Sequence, residues 1–154
     1  MKQFIAVLLM TALAGVAHAQ EKNRVISFDA GQALIGGEFG NSLYIFGYEA
    51  PLSMGSGGST SYRAMLTTGT LCPYYCWDYT TLGVELRTYT GAYTDSGYFG
   101  YEALVGSHER DGLIVGFDVS LGYSKHLGDG FVVDPYVKAG SVGFAIGLNL
   151  GVQF

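Results

Sequence analysis

The chain has 154 residues with only 14% charged side chains, 24 glycines, and 12 tyrosines plus 9 phenylalanines. Soluble domains carry roughly 25% charge, so much of this surface is not patterned for water. Eight basic against thirteen acidic residues exclude a nucleic-acid surface, which needs clustered Lys and Arg.

The first nineteen residues read as a secretory signal. Lys2 supplies the positive start, Phe4 to Gly15 the apolar run, and Ala17-His18-Ala19 an A-x-A cleavage site. The run is too short to favour a retained helical anchor, and no cysteine near the cleavage site could accept a lipid. The expected organisation is a cleaved segment 1–19 followed by one domain, 20–154.

Strands are expected at Arg24 to Leu34, Ser42 to Pro51, Ser61 to Thr68, Tyr79 to Tyr89 and Tyr98 to Val105. The next is clearer: Leu113, Val115, Phe117, Val119, Leu121 and Tyr123 alternate with Ile114, Gly116, Asp118, Ser120, Gly122 and Ser124. Leu127-Gly128-Asp129-Gly130 reads as a tight hairpin turn. Phe131 to Gly140 follows, with Asp134, Tyr136 and Lys138 on one face and Val133, Pro135, Val137 and Ala139 on the other. Pro135 lacks a ladder donor and should leave a local irregularity. In the last strand Phe144, Ile146, Leu148, Leu150, Val152 and Phe154 form an unbroken apolar face opposite Ala145, Gly147, Asn149, Gly151 and Gln153. Tilted strands of about 9–11 residues cross the hydrocarbon layer, so this one is long enough.

Eight such strands predict an all-β fold, an eight-stranded antiparallel up-and-down transmembrane β-barrel. By alternation, Leu52 to Thr60, Thr90 to Gly97 and Gly128 to Gly130 connect strands on the periplasmic side. Ile35 to Asn41, Gly69 to Trp77, Gly106 to Gly112 and a minimal turn near Ser141 are external, and the brevity of the outer loops leaves no long adhesive ones.

The small apolar-against-small alternation then places nine ionisable residues inside: Asp29, Glu49, Arg63, Glu85, Arg87, Glu102, Asp118, Asp134 and Lys138. An eight-stranded barrel is just wide enough for side chains to fill, so these should pair across neighbouring strands, for instance Glu49 with Arg63 and Arg87 with Glu102. A salt-bridged core is the main expectation, and a narrow ion or proton path is the alternative. The glycines are read as inward positions that relieve crowding.

Cys72 and Cys76 fall in an outer loop, where an exported chain is expected to oxidise them to a disulfide. Their spacing is not C-x-x-C, and no histidine has metal-ligand spacing, so redox catalysis and zinc binding are disfavoured. Tyr74, Tyr75, Trp77 and Tyr79 around them read as part of an interfacial aromatic girdle rather than a recognition patch. Ser107-His108-Glu109-Arg110-Asp111 holds the residue types of a lipid hydrolase, but sequence neighbours seldom converge, so a solvated loop is favoured. His126 sits at a turn with no partner motif. Nothing points to a catalytic residue, a metal or a cofactor.

A terminal aromatic after alternating apolar residues resembles the signal read by the outer-membrane insertion machinery, which gives Phe144, Ile146, Leu148, Leu150, Val152 and Phe154 that role. Leu34-Ile35-Gly36-Gly37, Tyr44 to Ser53 (YIFGYEAPLS), Gly83 to Tyr89 (GVELRTY) and Gly128 to Gly140 (GDGFVVDPYVKAG) look like small single-barrel outer-membrane proteins of Gram-negative bacteria, of uncharacterised domain families. The broader likeness is to OmpA- and OmpX-type barrels, without the peptidoglycan-binding domain of the first or the long protruding external strands of the second. The resemblance implies an outer-membrane location. The partners it implies are outer-membrane lipid, lipopolysaccharide and the insertion machinery, with no nucleic acid. The expected role is structural or surface interaction without enzymatic activity. A lipid-modifying outer-membrane enzyme and a soluble exported ligand-binding barrel are lesser alternatives.

Overall fold

The structure, a computed structural model, describes residues 23–29, 42–55, 57–71, 77–109, 112–141 and 143–154. The segment 1–19 expected to be a signal and Cys72 to Cys76 lie outside the described residues. Eight strands follow in chain order: β1 (Val25–Asp29), β2 (Ser42–Ser53), β3 (Ser59–Leu71), β4 (Trp77–Tyr89), β5 (Ser96–His108), β6 (Gly112–His126), β7 (Phe131–Gly140) and β8 (Gly143–Gln153). Each pairs antiparallel with its sequence neighbours, and β1 with β8, so the sheet closes into an up-and-down barrel. Hydrogen bonds between Arg24 and Phe154 extend this last seam to the chain ends.

The register can be followed once around the wall. From Gly140 on β7 it passes through Asp118, Glu102, Glu85, Arg63, Glu49, Val25 and Gln153. The Gln153 N–H then bonds the Gly130 carbonyl, ten residues from the start. A shear of ten residues at about 3.3 Å each, over eight strands about 4.8 Å apart, tilts the strands by roughly 40°.

Alternation decides the two faces. The larger apolar side chains of β6 and β8, including Leu113, Phe117, Phe144 and Ile146, stand exposed on the outside, whereas the buried positions are mainly polar or charged. The barrel is thus inverted relative to a water-soluble core, with its apolar surface outward.

Two rims result. The one bearing Arg24 and Phe154, called the near rim below, carries the turns after β2, β4 and β6; the far rim carries the others. In the β6–β7 turn, Asp129 (φ 45°) and Gly130 (φ 84°) are both left-handed, and the Phe131 N–H bonds the Gly128 carbonyl. That is the primed turn an Asp-Gly pair favours, because its twist matches the strands it joins. Pro135 interrupts the β6–β7 ladder opposite Tyr123 without changing its register. The register shift falls instead between Pro51 and Ser53 of β2.

The far ends of β3 to β6 run further than the sequence indicated. β3 continues to Leu71, β4 starts at Trp77, β5 reaches His108 and β6 begins at Gly112, while β7 stops at Gly140. Four strands therefore project past the β7–β8 hairpin, β6 by six residues beyond its pairing with Gly140. Thr67 to Thr70 and Gly106 to Ser107 are small or polar on both faces, so apolar alternation could not mark them as strand.

Candidate functional site: the charged, tyrosine-lined interior

All nine ionisable residues named from the sequence lie within the lumen. Eight are buried, from Asp29 at 0% exposure to Glu102 and Asp134 at 5%, and the Lys138 side chain retains 14%. Glu49, Arg63, Glu85, Glu102 and Asp118, from five successive strands, sit on a single register line.

Their pairing is set by reach across the lumen, not by register. Arg87 is the hub: Nε donates to Glu85 Oε2 (2.8 Å), and Nη1 donates to Glu49 Oε2 (3.1 Å) and Asp134 Oδ2 (2.8 Å). Its guanidinium also lies 4.1 Å from the centroid of the Tyr98 ring, a cation–π contact. Arg63 Nη2 donates to Ser27 Oγ (2.8 Å) and Asn149 Oδ1 (2.6 Å), with Nη1 4.0 Å from Glu85. Lys138 donates to Glu102. The expected pairs Glu49–Arg63 and Arg87–Glu102 are therefore corrected. Glu49 and Arg63 do face each other in register, but Arg63 extends toward β1 and β8, and Arg87 takes Glu49.

Six carboxylates against three cations need further donors, and tyrosines supply them. Tyr89 donates to Glu49 Oε1 (2.7 Å), Tyr98 to Asp134 Oδ1 (2.8 Å) and Tyr136 to Asp29. Ser61 donates to Glu49 (2.6 Å) and Ser120 to Glu85. At the far end, the Ser141 N–H (2.8 Å) and hydroxyl (3.0 Å) both donate to Asp118 Oδ1, while Asp118 Oδ2 is buried without a hydrogen-bond partner. Such charge-assisted bonds keep buried carboxylates satisfied where unpaired ones would be costly.

Glycine makes room for these rings. Tyr98 pairs in register with Gly122 and Tyr136 with Gly147, and a Cβ at either glycine would run into the facing ring. Tyr89 and Tyr98 were not singled out from the sequence. The signal was present, because each shares strand parity with a named charge, Tyr89 with Arg87 and Tyr98 with Glu102.

The near mouth is closed by the β4–β5 connection. Thr94 is 3% exposed and left-handed (φ 57°), and its hydroxyl donates to Gln153 Oε1 (3.2 Å). Tyr93 packs edge-on against Tyr89 with ring centroids 5.4 Å apart. Burial, and then the nearby Glu49 charge, push the Tyr93 hydroxyl well above the usual phenol range. Outside, Lys125 Nζ holds Asp95 Oδ1 at 2.7 Å, and this hydrogen bond lowers the Asp95 carboxyl. Behind the loop, Thr94, Ser27, Glu49, Ser124, Asp134 and Asn149 help line a cavity of about 10 Å³, room for roughly one water.

The far half of the lumen carries an apolar layer that includes Leu43, Ile45, Met65 and Leu104. Tyr79 belongs here at 4% exposure and not to an outer girdle, since it shares the parity of Glu85. Tyr74, Tyr75 and both cysteines lie outside the described residues, as do Arg110 and Asp111. Ser107 points outward near the far rim and His126 is exposed at the near one, so these two do not converge. Among the described residues, no group of three or more His, Cys, Asp or Glu could hold a metal ion.

No known protein family, no curated protein and no solved structure matches this chain.

Proposed function

We propose that the chain is an integral outer-membrane β-barrel protein, exported with a cleaved signal and filled by its own polar side chains, with a structural or surface-interaction role and no enzymatic activity. One observation carries the reading. Large apolar side chains cover the outside of a closed barrel while the charges of its wall turn inward, an arrangement favourable in hydrocarbon and unfavourable in water. Exposed charges stand at the rims, among them Asp78, Glu109, Lys125 and Asp129. The outward row from Phe144 to Phe154 serves as the insertion signal in this reading, and lipid and lipopolysaccharide are the surroundings.

The filled lumen favours this over a channel. Arg87 alone bridges β4 to β2 and to β7, and Tyr93 with Thr94 closes one mouth.

The test is membrane fractionation combined with gel migration before and after boiling. A faster unboiled form found with outer membranes supports the reading, and a water-soluble, unshifted protein overturns it. Planar-bilayer recordings then separate a closed barrel from a conducting one.

A further inference from the structure

Around Arg87 the carboxylates outnumber the cations. Arg63 and Arg87 stand against Glu49, Glu85 and Asp134, and Arg87 Nη1 is shared between Glu49 Oε2 (3.1 Å) and Asp134 Oδ2 (2.8 Å). Ser61 and Tyr89 also donate to Glu49, and Tyr98 and Asn149 to Asp134, but these donors bring no charge. One negative charge is therefore left over, and it falls on the two carboxylates that divide a single nitrogen. Both are buried, Glu49 at 4% exposure and Asp134 at 5%. With hydrocarbon around the wall, a buried charge without a counter-charge is costly even when its hydrogen bonds are made.

The same two carboxylates line the cavity of about 10 Å³ behind the β4–β5 loop, together with the polar side chains of Ser27, Ser124, Thr94 and Asn149. Two of these residues point to an occupant. Ser124 is 1% exposed and lines the cavity, yet its hydroxyl bonds no described residue. Thr94 is β-branched and left-handed (φ 57°), a conformation such residues rarely take, and it sits over the cavity at 3% exposure.

We infer that this cavity is a binding site for one small dehydrated monovalent cation, sodium or potassium, held by Glu49, Asp134 and the Ser124 hydroxyl beneath Thr94. The inference rests on the proposed membrane reading, because surrounding hydrocarbon is what makes the leftover charge costly. The volume admits one particle about the size of a water and no hydration shell. A water would satisfy Ser124 but leave the charge in place. A divalent ion does not fit, since calcium takes about six to eight oxygen ligands and magnesium keeps several waters. The charge to be neutralised is also one, not two.

The test follows urea unfolding of the full mature chain in lipid vesicles, in sodium, potassium or choline chloride at equal ionic strength. Choline is too large for the cavity and controls for screening. For the wild type, the folded-to-unfolded ratio at a fixed urea concentration rises about tenfold for each tenfold increase in the bound alkali ion once the site fills, and stays flat in choline chloride. The steeper of the two alkali series names the ion. Ser124→Val, which replaces the hydroxyl and fills the space with methyl groups, abolishes the alkali response. Ser124→Ala needs about tenfold more salt for the same gain, as for one lost polar contact. An equal response to alkali and choline chloride in the wild type overturns the inference and leaves a water in the cavity. So does an alkali response unchanged in the Ser124 variants; if Ser124→Val loses the boiling-dependent gel shift, Ser124→Ala decides alone. The gel shift of the wild type reads the membrane assignment and the salt series reads the cavity, so either can fail alone.

Discussion

Arg87 on β4 reaches Asp134 on β7, three strands away around the wall, with 2.8 Å between Nη1 and Oδ2. The same guanidinium holds Glu85 and Glu49, so one cation serves three carboxylates from three strands. Removing it leaves buried charge uncompensated, which costs more than the net worth of the pairs. Arg87→Met should destabilise the barrel by about 3–5 kcal/mol. Urea unfolding of the protein in lipid vesicles measures this, and a loss below about 1 kcal/mol would contradict the hub.

The tyrosine hydroxyls contribute less individually. Tyr89→Phe keeps the ring against Tyr93 and Tyr98 and removes only the donor to Glu49, which retains Ser61 and Arg87. A loss of about 1.5–3 kcal/mol is expected, as for a hydrogen bond to a charged group. The same urea titration checks it, and an unchanged midpoint would show that the hydroxyl does not support the carboxylate.

Gly147 faces the ring of Tyr136, which donates to Asp29. Gly147→Ala should cost about 1–3 kcal/mol through overpacking, and Gly147→Ala combined with Tyr136→Ala, which removes the ring the added methyl would meet, should lose much less than the sum of the two. A double-mutant cycle by unfolding reads the coupling.

The near-mouth loop responds to acid through Asp95. The bond from Lys125 lowers its carboxyl, so the contribution of this contact is present above the ordinary carboxylate value near 4 and is lost as pH falls through the lowered folded value. Proteolysis at Thr90 to Asp95 should accelerate at pH below about 4 in the wild type. Asp95→Asn should show the faster rate already at neutral pH and little further change on acidification, as followed by mass spectrometry of the cleaved chain. The pair is solvent-exposed, so high salt should reduce the difference.

Sequence alone reached the fold because the outside of this barrel alternates so cleanly. β6 and β8 combine an unbroken apolar face with small or polar inward residues, and one charge at Asp118 fixed which face was inner. The same parity placed all nine ionisable residues. The extensions of β3 and β5 were hidden because threonine, glycine and serine occupy both faces over Gly69 to Thr70 and Gly106 to Ser107. Tyr79 was misplaced through its neighbourhood to Tyr74 and Tyr75, although its parity with Glu85 pointed inward. Partners in the lumen could not be read from register, because an arginine side chain is long enough to cross a space only a few residues wide.

The even shear has a further consequence for assembly errors. A closed wall must rejoin itself with inward residues beside inward ones, so sliding one hairpin by a single residue cannot be accommodated at that seam alone. Under the proposed membrane reading, the slipped strand would turn its charges toward lipid, at about 2–4 kcal/mol for each Arg or Lys near the bilayer centre, and would bring apolar side chains into the lumen. Mistakes in this barrel must therefore come in cancelling pairs or in steps of two, and under the proposed membrane reading the bilayer would act as the proofreader of its strand register.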